Sequence, residues 1–206
     1  MPQLSAPVLA NDSVRLEPLR PDHAAGLREA AAGAAAGIAY ARVPEPDEVE
    51  AFVAETLERA ATGLLAPFAQ IDVATGRALG QTCYLTPRWW PGSDRLLGVE
   101  IGGTWLAPAA RGTAVNSAAK LLLLDHAFEV WGVSRVDLKT DARNALSRAG
   151  IVAIGARFEG VLRGWQPSAA PGEEGHPRDT AMHSITAEEW PDAKARLRTR
   201  LAAKLG

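Results

Sequence analysis

Cysteine is nearly absent: the chain has one, Cys83, so no internal disulfide can form, and the composition fits a reducing cytoplasm. No apolar run approaches the roughly 18 residues of a membrane-spanning helix. The opening Met-Pro-Gln-Leu-Ser-Ala-Pro has neither a basic stretch nor an apolar one, so no secretory signal is expected. No block of like charge occurs and the net charge is only −2, which gives no reason to expect a nucleic-acid partner. The histidines are few, and neither His176 nor His183 has a second ligand at metal spacing, so no metal is expected. No internal repeat or linker divides the chain. What remains is an ordinary globular composition, with 47% apolar and 22% charged residues in 206. We expect one domain over residues 1–206, closed by a helix over 188–206.

The apolar pattern predicts the order β-α-α-β-β-β-α-β-α-β-β-α. Val14 to Leu19 reads as a strand, and Pro21-Asp22 opens an Ala-rich helix to about Ala32. Asp47 with Glu50 reads as a cap for an amphipathic helix ending near Gly63. Phe68–Val73 and Leu79–Leu85 flank Ala74-Thr75-Gly76-Arg77 as a hairpin, and Leu97–Leu106 forms the next strand. A broad apolar helix runs from Val115 to Trp131 with Gly132 as its stop. Ser134–Thr140 alternates like a half-exposed strand, Ala142–Gly155 is a helix and Arg157–Arg163 a strand. Trp165–Arg178 reads as a mobile loop, Thr180–Ile185 as the last strand and Glu188–Leu205 as a basic helix. Early antiparallel strands and late strand-helix alternation predict an α/β (α+β) fold with a mixed sheet and helices on both faces.

The informative stretch is Val99 to Asn116. Gly102-Gly103 inside a strand is costly unless the backbone bends or something must approach closely, so it marks either a ligand-binding bulge or a barrel-like bend. Arg111-Gly112-Thr113-Ala114 then leads into a helix at Val115, where unpaired N–H groups and the helix dipole favour an anion. It is not the nucleotide-binding phosphate loop, because the second glycine and the Lys-Ser/Thr pair are missing.

This stretch resembles the central region of the Gcn5-related N-acetyltransferases, and within them the branch that acetylates N-termini of ribosomal proteins. The residues that carry the resemblance are Glu100-Ile101-Gly102-Gly103-Thr104-Trp105-Leu106-Ala107-Pro108 and Arg111-Gly112-Thr113-Ala114. Leu121 to Phe128, Asp141 to Ser147 and Gly155 to Arg163 agree in order. The likeness is specific over Val99–Arg163 and extends in element order from Val14 to Trp190. It departs at Ala109, where the family usually has Gln or Arg, and at Ala114, where Gly is usual.

The resemblance implies a mostly antiparallel sheet splayed at a β-bulge, with acetyl-CoA as co-substrate. Trp105, Leu106 and Ala107 would then offer backbone contacts to pantetheine, and Arg111, Gly112, Thr113, Ala114, Val115 and Asn116 would surround the pyrophosphate. Asn144 would hold the pantetheine, or else cap a helix near Asp141. Ser147 would reach the sulfur, or else be a helix-surface hydroxyl.

If an amine attacks the thioester directly it must lose a proton, since a lysine near pKa 10.4 is charged at neutral pH. Glu100 is then the candidate base, directly or through water, or else a salt-bridged carboxylate. The acceptor would be a peptide N-terminus or a small-molecule amine, including an amine antibiotic or metabolite. A non-catalytic acyl-CoA-binding module is the competing class. A homodimer is compatible with such a chain. His126 reads as a packed core residue and Cys83 as buried filler. Trp89-Trp90 reads as an acceptor wall, a dimer contact or a sheet cap. Arg28, Glu29 and Tyr40 lie where the family builds its acceptor pocket.

Overall fold

The computed structural model describes residues 3–205. Strands β1 (Leu9–Ala10) and β2 (Val14–Pro18) come first, then α1 (Ala24–Ala31) and α2 (Val49–Ala61). An antiparallel run follows, β3 (Leu65–Asp72), β4 (Ala78–Trp89) and β5 (Leu96–Leu106), and then α3 (Val115–Asp125). The chain continues through β6 (Arg135–Asp141), α4 (Ala145–Ala153), β7 (Arg157–Pro167), β8 (Pro177–Thr186) and α5 (Trp190–Leu205). The strands form one sheet in the order β1-β2-β3-β4-β5-β6-β8-β7, in which β5–β6 is the parallel pair. The mixed, mostly antiparallel sheet is as expected.

Two cores explain why helices cover both faces. Period-two alternation sends Phe68 to one side of β3 and Ala69 to the other. On the first side Leu16, Phe68, Tyr84, Val99 and Ile101 pack under Leu123 and Leu124 of α3 and Leu197 of α5. On the second, Ala69, Ile71 and Trp105 pack under Leu27 of α1 and Val49 and Val53 of α2.

Several boundaries differ from the sequence reading, each for a local reason. Asp47 is not the cap: Pro46 opens a short 3-10 turn over Pro46–Glu48 ahead of α2, where the Glu45 amide donates to Glu48 Oε2 at 3.1 Å, and the N-cap position of α2 itself is Glu48. Glu50 instead pairs with Arg28, tying α1 to α2. The helix at Val115 does not run regularly to Trp131. It passes into a π-helical turn over His126–Val130, where the Tyr84 hydroxyl donates to the Leu123 carbonyl at 2.6 Å. His126 lies against Trp131, ring centroids 4.6 Å apart, as a core residue whose pKa is lowered by burial. The helix expected from Ala142 starts at Ala145. The segment read as a loop, Trp165–Arg178, is shorter at both ends, since β7 runs on to Pro167 and β8 starts at Pro177, which leaves 168–176 as the connection. The remaining turn is held by Ser168, whose Oγ donates to Glu173 at 2.8 Å. Strand β6, read as half-exposed, is inside the sheet between β5 and β8, and its polar face is covered by ion pairs.

Gly80 sits where β4 crosses the end of β5. Its φ is +146°, and a Cβ there would lie 2.1 Å from the Trp105 carbonyl oxygen. Gly80→Ala is expected to cost about 2 kcal/mol or more by strain and displacement of β5. A urea unfolding midpoint unchanged from wild type would refute this.

Candidate active site

The site begins where a ladder stops. Strands β5 and β6 pair only at Gly98–Arg135, Val99–Val136 and Glu100–Asp137. Beyond Glu100, β5 stays with β4 as far as Leu106, while β6 stays with β8 as far as Asp141. The facing edges past that point have no strand partner among the described residues, so their backbone groups are open to a ligand.

The double glycine makes this split possible. Between the Gln81–Trp105 and Cys83–Gly102 pairs, β4 advances two residues and β5 three, so β5 bulges by one. Gly103 takes φ +57° in the bulge. The extra residue reverses side-chain parity: Ile101 faces the α3 core but Trp105 faces the α1–α2 core. The Trp105 indole is therefore buried, and Trp105, Leu106 and Ala107 can offer the open edge only their main chain. Gly102 has a different reason to be glycine. A Cβ there would lie 2.8 Å from Leu85 Cδ1 and 3.0 Å from Glu100 Oε1.

Glu100 is at the apex of the split, 5% exposed. Its Oε2 accepts from Thr86 Oγ1 at 3.0 Å and pairs with Lys139 Nζ at 2.9 Å. Its Oε1 takes no hydrogen bond among the described residues and looks across Gly102. One oxygen is thus fixed and the other is open. Among the described residues Thr86 is the non-glycine one with positive φ, +45°, a strained conformation for a β-branched side chain. A second bulge, on β4 between Leu85 and Arg88, puts it there. Neither Thr86 nor Lys139 stood out in the sequence. The residue before a proline is normally extended, so Thr86-Pro87 signals the opposite of what occurs. Beside Glu100, Asp137 pairs with Arg88 at 2.5 Å and Arg135 at 2.6 Å, and Arg135 continues to Glu159.

The turn before α3 is built for an anion. The N-cap position is Ala114, which has no side-chain acceptor. The amides of Gly112, Thr113 and Ala114 find no acceptor among the described residues. Lys204 of α5 donates to the carbonyls of Gly112 at 2.6 Å and Thr113 at 2.8 Å. In a trans peptide the N–H points opposite its C=O, so Lys204 aims the Thr113 and Ala114 amides away from α5. Val115 is half-buried and Asn116 exposed at the first turn of α3. Arg111 does not turn its side chain to this opening. Its guanidinium donates to the carbonyls of Leu106 at 3.1 Å and Ala36 at 2.9 Å, and to that of Ala34, pinning the α1–α2 connection to the end of β5.

Across the split, Asn144 caps α4: its Oδ1 accepts from the Ser147 amide at 3.0 Å. Its side-chain amide stays free among the described residues, so capping and ligand contact do not compete. Ser147 is half-buried and its hydroxyl has no protein partner among the described residues. Arg143, next to them, pairs with Asp141 and Glu173 and stacks over Tyr40 at 4.9 Å, joining three loops above the site. Of the three residues read as acceptor candidates, only Tyr40 comes here; Arg28 and Glu29 pair with Glu50 and Arg77. Trp89 packs on the core, and Trp90 stacks with Arg95 in the β4–β5 hairpin, as a sheet cap would.

Behind the bulge, Lys120 of α3 is 7% exposed and donates to Thr104 Oγ1 at 2.8 Å, with no carboxylate paired to it among the described residues. Burial pulls its pKa from 10.5 to about 8. Cys83, on the other face, is buried and its thiol is pushed up to about 12, an inert residue.

The family model for the "Acetyltransferase (GNAT) domain" matches residues 13–157. A GCN5-related N-acetyltransferase from Brucella melitensis is 26% identical, with a TM-score of 0.82 over 97% of this chain and 87% of its own. A protein assigned as an acetyltransferase from T. thermophilus is 30% identical, with a TM-score of 0.75 over 95% and 97%. RimJ of Mycobacterium smegmatis, in complex with CoA-disulfide, is 24% identical with a TM-score of 0.73 over 97% and 94%, and shares the fold. No curated protein matches the sequence.

The buried lysine generates a pH prediction. An unfolded Lys120 keeps its proton up to about pH 10.5, whereas the folded one releases it at about 8. Between these values the unfolded state holds more protons, so stability rises with pH. Lys120→Met removes this dependence. The stability of wild type relative to Lys120→Met should improve by about 3 kcal/mol across that window, measured by urea unfolding. Parallel pH profiles of the two proteins would contradict it.

Proposed function

Because the chain belongs to the GNAT acetyltransferase family, we propose that it transfers the acetyl group of acetyl-CoA to a primary amine by direct attack on the thioester. The acceptor class we favour is a peptide N-terminal α-amine or a small-molecule amine. The observation that carries the reading is Glu100, held by one oxygen and open at the other, at the apex of a split whose edges end in an anion-seeking turn.

The residues fit an acyl-CoA donor in sequence along the split. The Thr113 and Ala114 amides face away from α5 at an uncapped helix start and, with the unpaired Gly112 amide, suit the pyrophosphate, with Val115 and Asn116 beside them and the Arg111 side chain bracing the turn from behind. The open edge of β5 at Trp105, Leu106 and Ala107 suits the amides of pantetheine, with the free Asn144 amide opposite. The thioester then comes to the apex. Glu100 Oε1 takes a proton from the acceptor ammonium, directly or through one water. The neutral amine forms a C–N bond to the carbonyl carbon, and a backbone N–H of the bulged strand receives the oxyanion. The C–S bond breaks as the intermediate collapses, and the proton still carried on its nitrogen passes through the Ser147 hydroxyl to the departing thiolate. Lys139 and Thr86 act as positioning residues by holding Glu100.

We read the chain as one acetyltransferase domain of the cytoplasm, acting without metal, nucleic acid or membrane. No helix among the described residues is long and apolar enough to cross a membrane. A homodimer is the assembly we propose, since the outer strand β7 leaves Phe158, Val161 and Trp165 exposed beside an edge that has no strand partner among the described residues.

Glu100→Gln keeps the shape and removes the base. It should lower kcat on the order of 100-fold with CoA affinity retained, followed by thiol release from acetyl-CoA with an amine panel. Unchanged turnover at every pH would remove Glu100 from the mechanism.

A further inference from the structure

Among the described residues, charges on the sheet face that carries Glu100 are matched with one exception. Glu100 has Lys139, Asp137 has Arg88 and Arg135, Glu159 has Arg135, and Asp141 and Glu173 share Arg143. Arg178 of β8 has none. It is 9% exposed and makes no side-chain hydrogen bond or ion pair among the described residues, and its Nε is shut off from solvent without an acceptor. A guanidinium cannot escape burial by losing its proton, so an unpaired one is strongly disfavoured unless something else comes to it.

A second unmet group stands beside it. Thr180, two residues along β8 and therefore on the same face, is fully buried with its Oγ1 unpartnered. Thr180 is the register partner of Asp141 on β6, and Arg178 lies one step further along, within electrostatic reach of Asp141 and Glu100. The Arg143–Glu173 pair and Tyr40 close over this end of the sheet. Two adjoining buried donors, a planar fork and a hydroxyl, make a receptor for an oxyanion. The charge is a single one, with two carboxylates close by, which matches a carboxylate better than a phosphate dianion. The donor's phosphates have their own place at the α3 turn, so this anion belongs to the acceptor.

We infer that Arg178 and Thr180 form a carboxylate subsite, and that the acceptor is an amine carrying a carboxylate in the same molecule. The inference rests on the acetyl-transfer reading for the word "acceptor" but on the two unmet donors for the subsite. The carboxylate comes either from a free amino acid or from an acidic side chain next to a peptide's N-terminal residue.

Calorimetric titration in the presence of CoA tests it with two matched pairs. Alanine against alaninamide probes the free α-carboxylate, and Ser-Asp-Ala-amide against Ser-Asn-Ala-amide probes the side chain. At least one acidic member should bind wild type tenfold or more tightly than its neutral twin, and Arg178→Met should bring that ratio close to one while CoA affinity is kept. Because Arg178→Met deletes an unpaired buried charge, its Tm without ligand should equal or exceed that of wild type. A ratio near one in wild type, a ratio kept in Arg178→Met, no binding of any member, or a clearly lowered Tm would overturn the subsite. The same samples with acetyl-CoA separate the two readings. Acidic preference without thiol release supports the subsite and refutes acetyl transfer, whereas thiol release without preference does the reverse.

Discussion

The rest of this molecule depends on a parallel pairing that lasts three residues. Strands β5 and β6 hold together from Gly98 to Glu100 and then part, each kept straight by an antiparallel neighbour on its other side. A sheet normally satisfies its backbone internally; here two edges are left open in the middle of one. The bulge at Gly102–Gly103 moves β5 aside without breaking its bond to β4, and the same extra residue turns Trp105 into the opposite core. The opening is therefore braced from both sides, and Glu100 stands at its narrow end.

Electrostatics divides the two faces of the sheet. On the Glu100 face, carboxylates and cations interlock from Arg88 to Glu173, which fixes side chains that would otherwise be mobile. On the α3 face the buried charge is Lys120, held by the Thr104 hydroxyl rather than by an acid, while Lys194 pairs with Asp125 and Glu129 nearer the surface. Pairing makes the first face a rigid frame; isolation makes the second a place where a proton is easily lost.

The architecture was legible in the sequence because it rests on periodicity. The alternation in β3 and the broad apolar stripe of α3 each announce a buried face, and Gly102-Gly103 announces the bulge. The turn at Arg111–Ala114 was legible too, although the role of the Arg111 side chain was not, since two of its three acceptors are carbonyls 75 and 77 positions earlier. Thr86, Lys139, Arg178 and Thr180 were not legible. Their meaning lies in which strands sit side by side, and β8 comes between β6 and β7 only through tertiary topology. Asn144 is an intermediate case: capping was one of its two readings because the pattern is local, yet the helix start was expected at Ala142, three residues too early.

Lys204 ties the anion turn to a distant helix. It sets the peptide planes at Gly112 and Thr113 from 92 and 91 positions further along the chain. The same helix puts Leu197 into the first core, so one element both seals that core and braces the turn. Fraying confined to the end of α5 would therefore loosen the grip on an anion while Glu100 and the sheet keep their places.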